Sequence, residues 1–392
     1  MLLGTGLVGG IMRNNGRFTA TEEMNALGGG ELFGLTDGNS LHRNVEFPGH
    51  PHSSLYNVAS MESVVRAYLQ AAGVDVRFSA RVDGAAMDGD RILSVSAKID
   101  GKTEVFAGDA FVDATGTAGP MNLCARHGNG CAMCVLRCPS FGGRVSLTAL
   151  AGVPELVGRK GASIGAMSGS CKLLKESLSA ELIRKLEETG VAVVPIPPGV
   201  LGEADISGKA CQQYALPEFH DNLIVLDTGH AKLMTPFFPL AALRAVPGFE
   251  NARYEDPYAG GLGNSMRYLG MSPRDDALKV EGIENLFCGG EKAGLLVGHT
   301  EAIVTGTLAG HNAARSAAGL APIVLPRSLA VGDAIAHVGE RMRTEEGLGY
   351  KYTFSGSVYF DRMKELGLYT VDTGAIRERV SRTGLNGIFA RQ

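Results

Sequence analysis

Nowhere in the 392 residues does an apolar run approach the ~20 needed to span a membrane as a helix, and the N-terminus lacks a basic start and a small-residue cleavage site. These absences argue against a helical membrane protein and against secretion, leaving a cytoplasmic protein as the expectation. Charge of one sign is also missing. With 37 Lys and Arg against 41 Asp and Glu, the formal charge is −4, and the total gives no reason to expect nucleic acid. Internal repeats and low-complexity runs are absent.

What is present is a soluble globular composition, 45% hydrophobic and 20% charged, long enough for two domains or one elaborated domain. The 54 glycines are about twice the usual share and suit a backbone that turns tightly and approaches a ligand closely. Seven cysteines in a reducing compartment do not suggest a disulfide framework, and four of them fall between residues 124 and 138.

The opening "MLLGTGLVGG" spells G-x-G-x-x-G at Gly4, Gly6 and Gly9. A dinucleotide fingerprint needs a buried strand before the first glycine and a helix after the last, so that helix N–H groups meet the pyrophosphate. Only Met1, Leu2 and Leu3 precede Gly4, and Asn14-Asn15-Gly16 is a turn signal where that helix should continue. Glu22 and Glu23 stand at the distance of a ribose-binding acid, but the local context does not support a phosphate loop.

Further along, "SMESVVRAYLQAA" predicts a helix capped by Ser60 and stopped by Gly73, and "VDVRFSA" a strand. Residues 81–116 alternate at period two, with turns at Asp88-Gly89 and Asp100-Gly101, which predicts an antiparallel meander ending in strand 110–114. "SAELIRKLEETG" predicts a capped amphipathic helix and "VAVVPIPP" a strand, within a region of short strands and Gly- and Pro-rich connections. "IENLFCGGE" reads as a buried strand ending in glycines, and "HTEAIVTGTLAGHNAARSAAG" as a long helix. One or two helices and a polar tail follow Pro322 and Pro326.

Four segments together resemble the glucose-inhibited division protein A (GidA) group of FAD-binding, tRNA-uridine-modifying proteins. They are "GLVGGIMRNNGRFTATEEMNALGG", "VDATGTAG", "LAALRAVPGFENARYEDP" and "NLFCGGEKAGLLVGHTEAIVTGTLAGHNAARSAAGLAPIVLPRS", in collinear order over residues 6–330. The resemblance implies an α/β two-dinucleotide-binding-fold flavoprotein: a Rossmann-like FAD domain with an antiparallel meander, plus an inserted α+β substrate domain. The expected division is 1–119 and 281–327 for the FAD domain, 120–280 for the insertion and 328–392 for a helical tail. It also implies that the family's phosphate-loop unit lies upstream of Met1. An internal methionine taken as the start is the favoured explanation, beside truncation or a split gene product.

On this resemblance Gly9 and Gly10 belong to a loop, residues 6–16, near the flavin ring, with Arg13 either an anion ligand or a surface residue. Thr115 and Gly116 end a strand at the nucleotide. Gly289 and Gly290 allow close approach, and Glu291 either accepts from ribityl hydroxyls or is an exposed acid. Gly298, His299 and Thr300 open a helix whose positive end would face the reduced flavin's pyrimidine side, with His299 assisting or capping. Gly306 and Gly310 are expected to permit helix–sheet packing.

Cys124, Cys131, Cys134 and Cys138 are spaced C-x6-C-x2-C-x3-C-P. Four soft ligands suit a [4Fe–4S] cluster or a tetrahedral zinc, with a thiol redox pair or chance as alternatives. Arg126, Arg137 and His127 favour thiolates. The GidA pattern has no such cluster, so the expected function is an FAD-dependent oxidoreductase that relays electrons between flavin and cluster. Its partner would be a small-molecule substrate or electron carrier, with the chain in a homo-oligomer. The rivals are a flavin-dependent tRNA-modifying enzyme and a non-catalytic subunit of a split flavoprotein. Against tRNA, little chain follows the flavin segment, and the cysteine in the family segment resembling "MLLGT" is missing.

Overall fold

In the computed structural model the described residues are 9–116, 145–160, 163–164, 166–167, 170–200, 216–235, 238–255, 266–267 and 270–390. The opening stretch is not loop throughout: β1 (Ile11–Met12) pairs with a later strand before the chain reverses at Arg13–Asn15, where Arg13 and Asn15 take φ of 61° and 55°. The turn signal is real, and helix α1 (Gly16–Ala26) starts immediately behind it. Helix α2 (Glu31–Gly38) leads to β2 (Ser40–Phe47) and β3 (His50–Tyr56), an antiparallel sheet in the order β1-β3-β2.

Helix α3 (Val58–Ala71) begins before the expected Ser60. Its cap is Asn57, whose side chain accepts from the Ala59 N–H, while Ser60 Oγ donates to Asn39 Oδ1 instead. Residues 74–80 are not a strand. They alternate correctly but have no ladder partner, and the sheet begins at Arg81. The meander follows as β4 (Arg81–Asp88), β5 (Arg91–Ile99) and β6 (Lys102–Ala107), with Asp100 and Gly101 both at positive φ in the tight β5–β6 turn. The expected last strand, β7 (Phe111–Asp113), leaves the meander and pairs elsewhere.

Beyond it, β8 (Cys171–Leu173), helix α4 (Ala180–Thr189), β9 (Val191–Pro195), β10 (Asn222–Asp227) and β11 (Ala231–Leu233) form an antiparallel sheet in the order β8-β11-β10-β9. Its core, with Leu173, Leu186, Val225, Leu243 and Phe249, is distinct from the main one. A third cluster joins it to β2 and β3 through Val45, Phe47, Leu55, Ile224 and Leu226.

Strand β12 (Leu286–Cys288) pairs in parallel with β7, Phe287 opposite Val112 and Cys288 opposite Asp113. Asn285, just before it, ties this pair to the meander: its Oδ1 accepts from Ile92 N–H and its amide donates to the Ile92 and Asp109 carbonyls. Helix α5 (His299–Ala317) returns over the parallel pair. A Cβ on Gly289 would stand 3.0 Å from Gly306 Cα, so this crossing needs the glycine, whereas Gly310 faces open space and has no packing role. Three helices close the fold, α6 (Ala330–Arg341), α7 (Ser357–Glu365) and α8 (Thr373–Arg382). They are not a polar tail, because Val331, Ile335, Tyr359, Met363 and Val380 enter the main core around α1 and α5. Among the described residues no helix is long and apolar enough to cross a membrane.

Candidate functional site

Two parallel strand ends and one helix start converge on the site. At the C-terminal ends of β7 and β12, Gly116 and Gly290 adopt φ of 78° and 66°, turning the chain away from the sheet. The Gly289 N–H continues the ladder to the Asp113 carbonyl, and the Gly290 N–H is held by Thr305 Oγ1. Thr115 is exposed here, and both its N–H and its hydroxyl donate to Asp113 Oδ1, at 3.1 and 2.7 Å. The other oxygen of Asp113 accepts from the Thr148 N–H and hydroxyl, at 2.8 and 2.7 Å. A buried carboxylate therefore joins residues 115 and 148. Glu291 is half-buried, and its neighbour Lys292 is fully buried in an ion pair with Glu155.

Helix α5 opens without a local side-chain cap. Its N-cap, Gly298, has φ of 145°, and a Cβ there would lie 2.1 Å from Glu301 Oε2 and 2.2 Å from Arg17 Nη2. Only glycine admits that approach. Glu301 Oε1 takes hydrogen bonds from Thr353 Oγ1 at 2.6 Å, Phe354 N–H at 2.9 Å and Arg17 Nε at 3.2 Å. Its Oε2 is buried with no partner, as is Asn15 Oδ1. Arg17 also reaches Asn14 Oδ1 and Thr353 Oγ1, linking the turn before α1 to the start of α5. A buried acid and its arginine thus stand within the helix's positive first turn, so a ligand there meets a neutral pair and backbone N–H groups.

His299 bonds through Nδ1 to the Tyr56 hydroxyl at 2.6 Å. Tyr56 in turn binds the expected flavin-ring loop: its backbone N–H donates to the Gly10 carbonyl at 3.0 Å. Gly9 is held from below by the buried Lys232 ammonium, 2.7 Å from its carbonyl. The structure thus brings Gly10 and His299 together through Tyr56, and Thr115, Gly116, Gly289, Gly290 and Glu291 together at the strand ends. Thr300 points elsewhere, its buried hydroxyl 3.7 Å from Met12 Sδ.

Several candidates have structural employment instead. Arg13 is neither a free anion ligand nor a surface residue, because its guanidinium is bound by Asp37 and Glu22, both at 2.5 Å. Glu22 is committed to that pair. Glu23 is buried and caps α6, accepting from the Ala330 and Val331 N–H groups at 2.9 Å, with Arg379 beside it. Neither acid is placed as a ribose ligand. Burial pushes the Cys288 and Cys171 thiols up to about 12, so both are inert, neutral core residues. Arg17, Tyr56, Asp113 and Glu301 escaped the sequence reading, since each finds its partners far along the chain. An acid in the first turn of a small-residue helix was the one available signal for Glu301.

Cys124, Cys131, Cys134 and Cys138 lie outside the described residues, as does Cys211. Among the described residues no group of three or more His, Cys, Asp or Glu could hold a metal.

Two family models match parts of the chain. The model of glucose inhibited division protein A matches residues 229–321, which include the β12–α5 unit, and that of FAD dependent oxidoreductases matches residues 4–128. The chain thus resembles the GidA group over one segment and FAD dependent oxidoreductases over another, each match spanning less than half of its length. GidA of Aquifex aeolicus shares the fold in two crystal forms. One is 14% identical with a TM-score of 0.60, covering 96% of this chain and 70% of that one. The other is 13% identical with a TM-score of 0.58, covering 96% and 72%. The GidA-like fold thus accounts for the parallel strand ends and the helix that returns over them.

Proposed function

We propose that this GidA-like chain couples FAD chemistry to a second redox centre, an iron–sulfur cluster held by Cys124, Cys131, Cys134 and Cys138, and exchanges electrons with a small-molecule substrate or electron carrier. Asp113 is the observation that carries this reading. Its two oxygens hold Thr115 and Thr148, the described sequence flanks of the cysteine motif, at the end of β7. The described residues on the two sides of the motif therefore meet at the crevice where the cofactor residues gather.

The residues present fit a flavin nucleotide. Gly116 and Gly290 carry no side chain at the strand ends, α5 offers first-turn N–H groups, and two buried oxygens, Glu301 Oε2 and Asn15 Oδ1, await hydrogen-bond donors. FAD, when bound, supplies two-electron redox chemistry that can be divided into single-electron transfers. This chain's part is to hold the cofactor: Thr115, Gly116, Gly289, Gly290 and Glu291 at the strand ends, Gly9, Gly10, Gly298 and His299 at the opposite side.

Anaerobic purification followed by an absorbance spectrum with iron and zinc analysis tests the reading. The expected result is bound flavin together with about four irons per chain, the iron and its absorbance being lost in Cys131→Ala with flavin retained. Zinc without iron, or neither metal, overturns the cluster. A tRNA-directed reaction, implied by the GidA resemblance, predicts tRNA retention on filters at low salt; retention no greater than that of an unrelated acidic protein removes it.

A further inference from the structure

Gly10 has φ of 118°, a backbone that favours glycine, and the space where a side chain would stand is already filled. A Cβ there would lie 2.8 Å from Thr228 Cβ and 3.3 Å from Thr228 Oγ1, with the Thr228 methyl closer still. Thr228 is fully buried in the hairpin that joins β10 to β11. Its side chain therefore takes, from the second sheet, the place that residue 10 leaves empty.

The hairpin is seated by contacts that do not involve Gly10. The buried Asp227 carboxylate lies 3.0 Å from His42 Nε2 on β2 and 2.7 Å from Lys175 Nζ, and it accepts from the Gly229 N–H at 3.2 Å. The Thr228 carbonyl accepts from the Val58 N–H at 3.1 Å, where α3 begins. Gly229 has φ of 85°, and a Cβ there would stand 2.5 Å from Asn57 Oδ1, so the tip fits this close only as glycine. Strand β2 and helix α3 thus fix where Thr228 sits. Its hydroxyl is buried without a hydrogen-bond partner. What Thr228 gives the loop is therefore volume.

We infer that Thr228 is a positioning residue: it stands in for the side chain that residue 10 lacks and sets the backbone of the Gly9–Gly10 loop against the ligand. The inference rests on the FAD reading of the site, the ligand being the flavin. Removing the Thr228 side chain opens a space behind Gly10, and the loop loses its support; removing only the hydroxyl leaves that support in place.

Thr228→Gly and Thr228→Val separate the two. In FAD titrations Thr228→Gly should weaken binding about fivefold, the scale of a binding loop losing its pre-organisation, and shift the reduction potential of the bound flavin. Thr228→Val, which keeps the shape, should leave both as in wild type. Unfolding curves without FAD complete the test: Gly10→Ala should raise the unfolding equilibrium constant about tenfold more in the wild-type background than beside Thr228→Gly, because the two sites share one space. Where Gly10→Ala does not fold, the two Thr228 variants carry the test alone. Thr228→Val weakening FAD as much as Thr228→Gly overturns the inference, since the hydroxyl would then be the working group. Wild-type affinity and potential in Thr228→Gly overturn it too, as does an equal cost of Gly10→Ala in both backgrounds. A chain that binds no FAD overturns the ligand assignment while the unfolding comparison stands by itself, so the two failures are distinguishable.

Discussion

Helices α4 and α5 begin in opposite ways. At α4 the N-cap Ser179 accepts from the Leu182 N–H, Glu181 occupies the first turn, and Gly190 closes the other end in the left-handed region. Every contact in that account is local. At α5 the N-cap is a glycine with no side-chain cap, the first-turn acid is buried, and its partners Arg17 and Thr353 come from residues 284 and 52 positions away. Helix α6 stands between the two: Glu23 caps it from a distance, but both carboxylate oxygens are satisfied. Of these three, α5 alone gathers remote polar groups and still leaves a buried carboxylate oxygen without a partner. A remote cap alone indicates architecture, whereas a remote cap with an orphaned acceptor indicates a ligand position.

Substitutions can break this contrast. Arg17→Met should have the largest effect, about 3–5 kcal/mol of stability, because it leaves Glu301 buried and uncompensated. A double variant with Glu301→Leu should recover part of that loss; chemical denaturation of both checks it. Gly298→Ala should cost about 2–3 kcal/mol, through a backbone region that favours glycine and a methyl driven onto Glu301 and Arg17. An effect no larger than that of a surface substitution would show that α5 opens less tightly than described.

The cap of α6 is tested by pH. Burial pushes the Glu23 carboxyl up to about 7, against the pull of the Ala330 and Val331 N–H groups and Arg379. From about 4.5, where the unfolded chain loses this proton, to about 7 the folded state retains it. Stability from Glu23 is therefore complete below that window and is lost as pH rises through it. Wild type should accordingly lose unfolding free energy relative to Glu23→Gln over the same span; a constant difference would place the folded carboxyl near its ordinary value. The smallest change belongs to α4, where Ser179→Ala should cost about 1 kcal/mol.

The same contrast sets how much was legible in the sequence. The meander turns, α4, β12 and α5 could be read because period and capping are local signals, and the glycines at 116, 289 and 290 do mark strand ends. The start of α3 was displaced because Asn57 and Ser60 are both capping residue types, and only the fold decides that Ser60 binds Asn39. Residues 74–80 alternate like a strand, yet alternation cannot reveal a missing partner. Glu23 stood at a plausible distance for a ribose acid, and its true employment lies 307 positions away. Arg17, Tyr56 and Asp113 were invisible for the same reason.

The central claim is that the β7 and β12 ends together with the α5 start form the FAD site. Gly290→Asp tests it most directly, since aspartate tolerates the left-handed backbone and a Cβ there meets only Ala302 at 4.0 Å. The measurement is an equilibrium FAD titration of this variant beside wild type, with unfolding curves for both. The account predicts saturable binding by wild type, weakened at least about tenfold by the added charge, with little change in stability. Equal FAD affinity in the two proteins would contradict it.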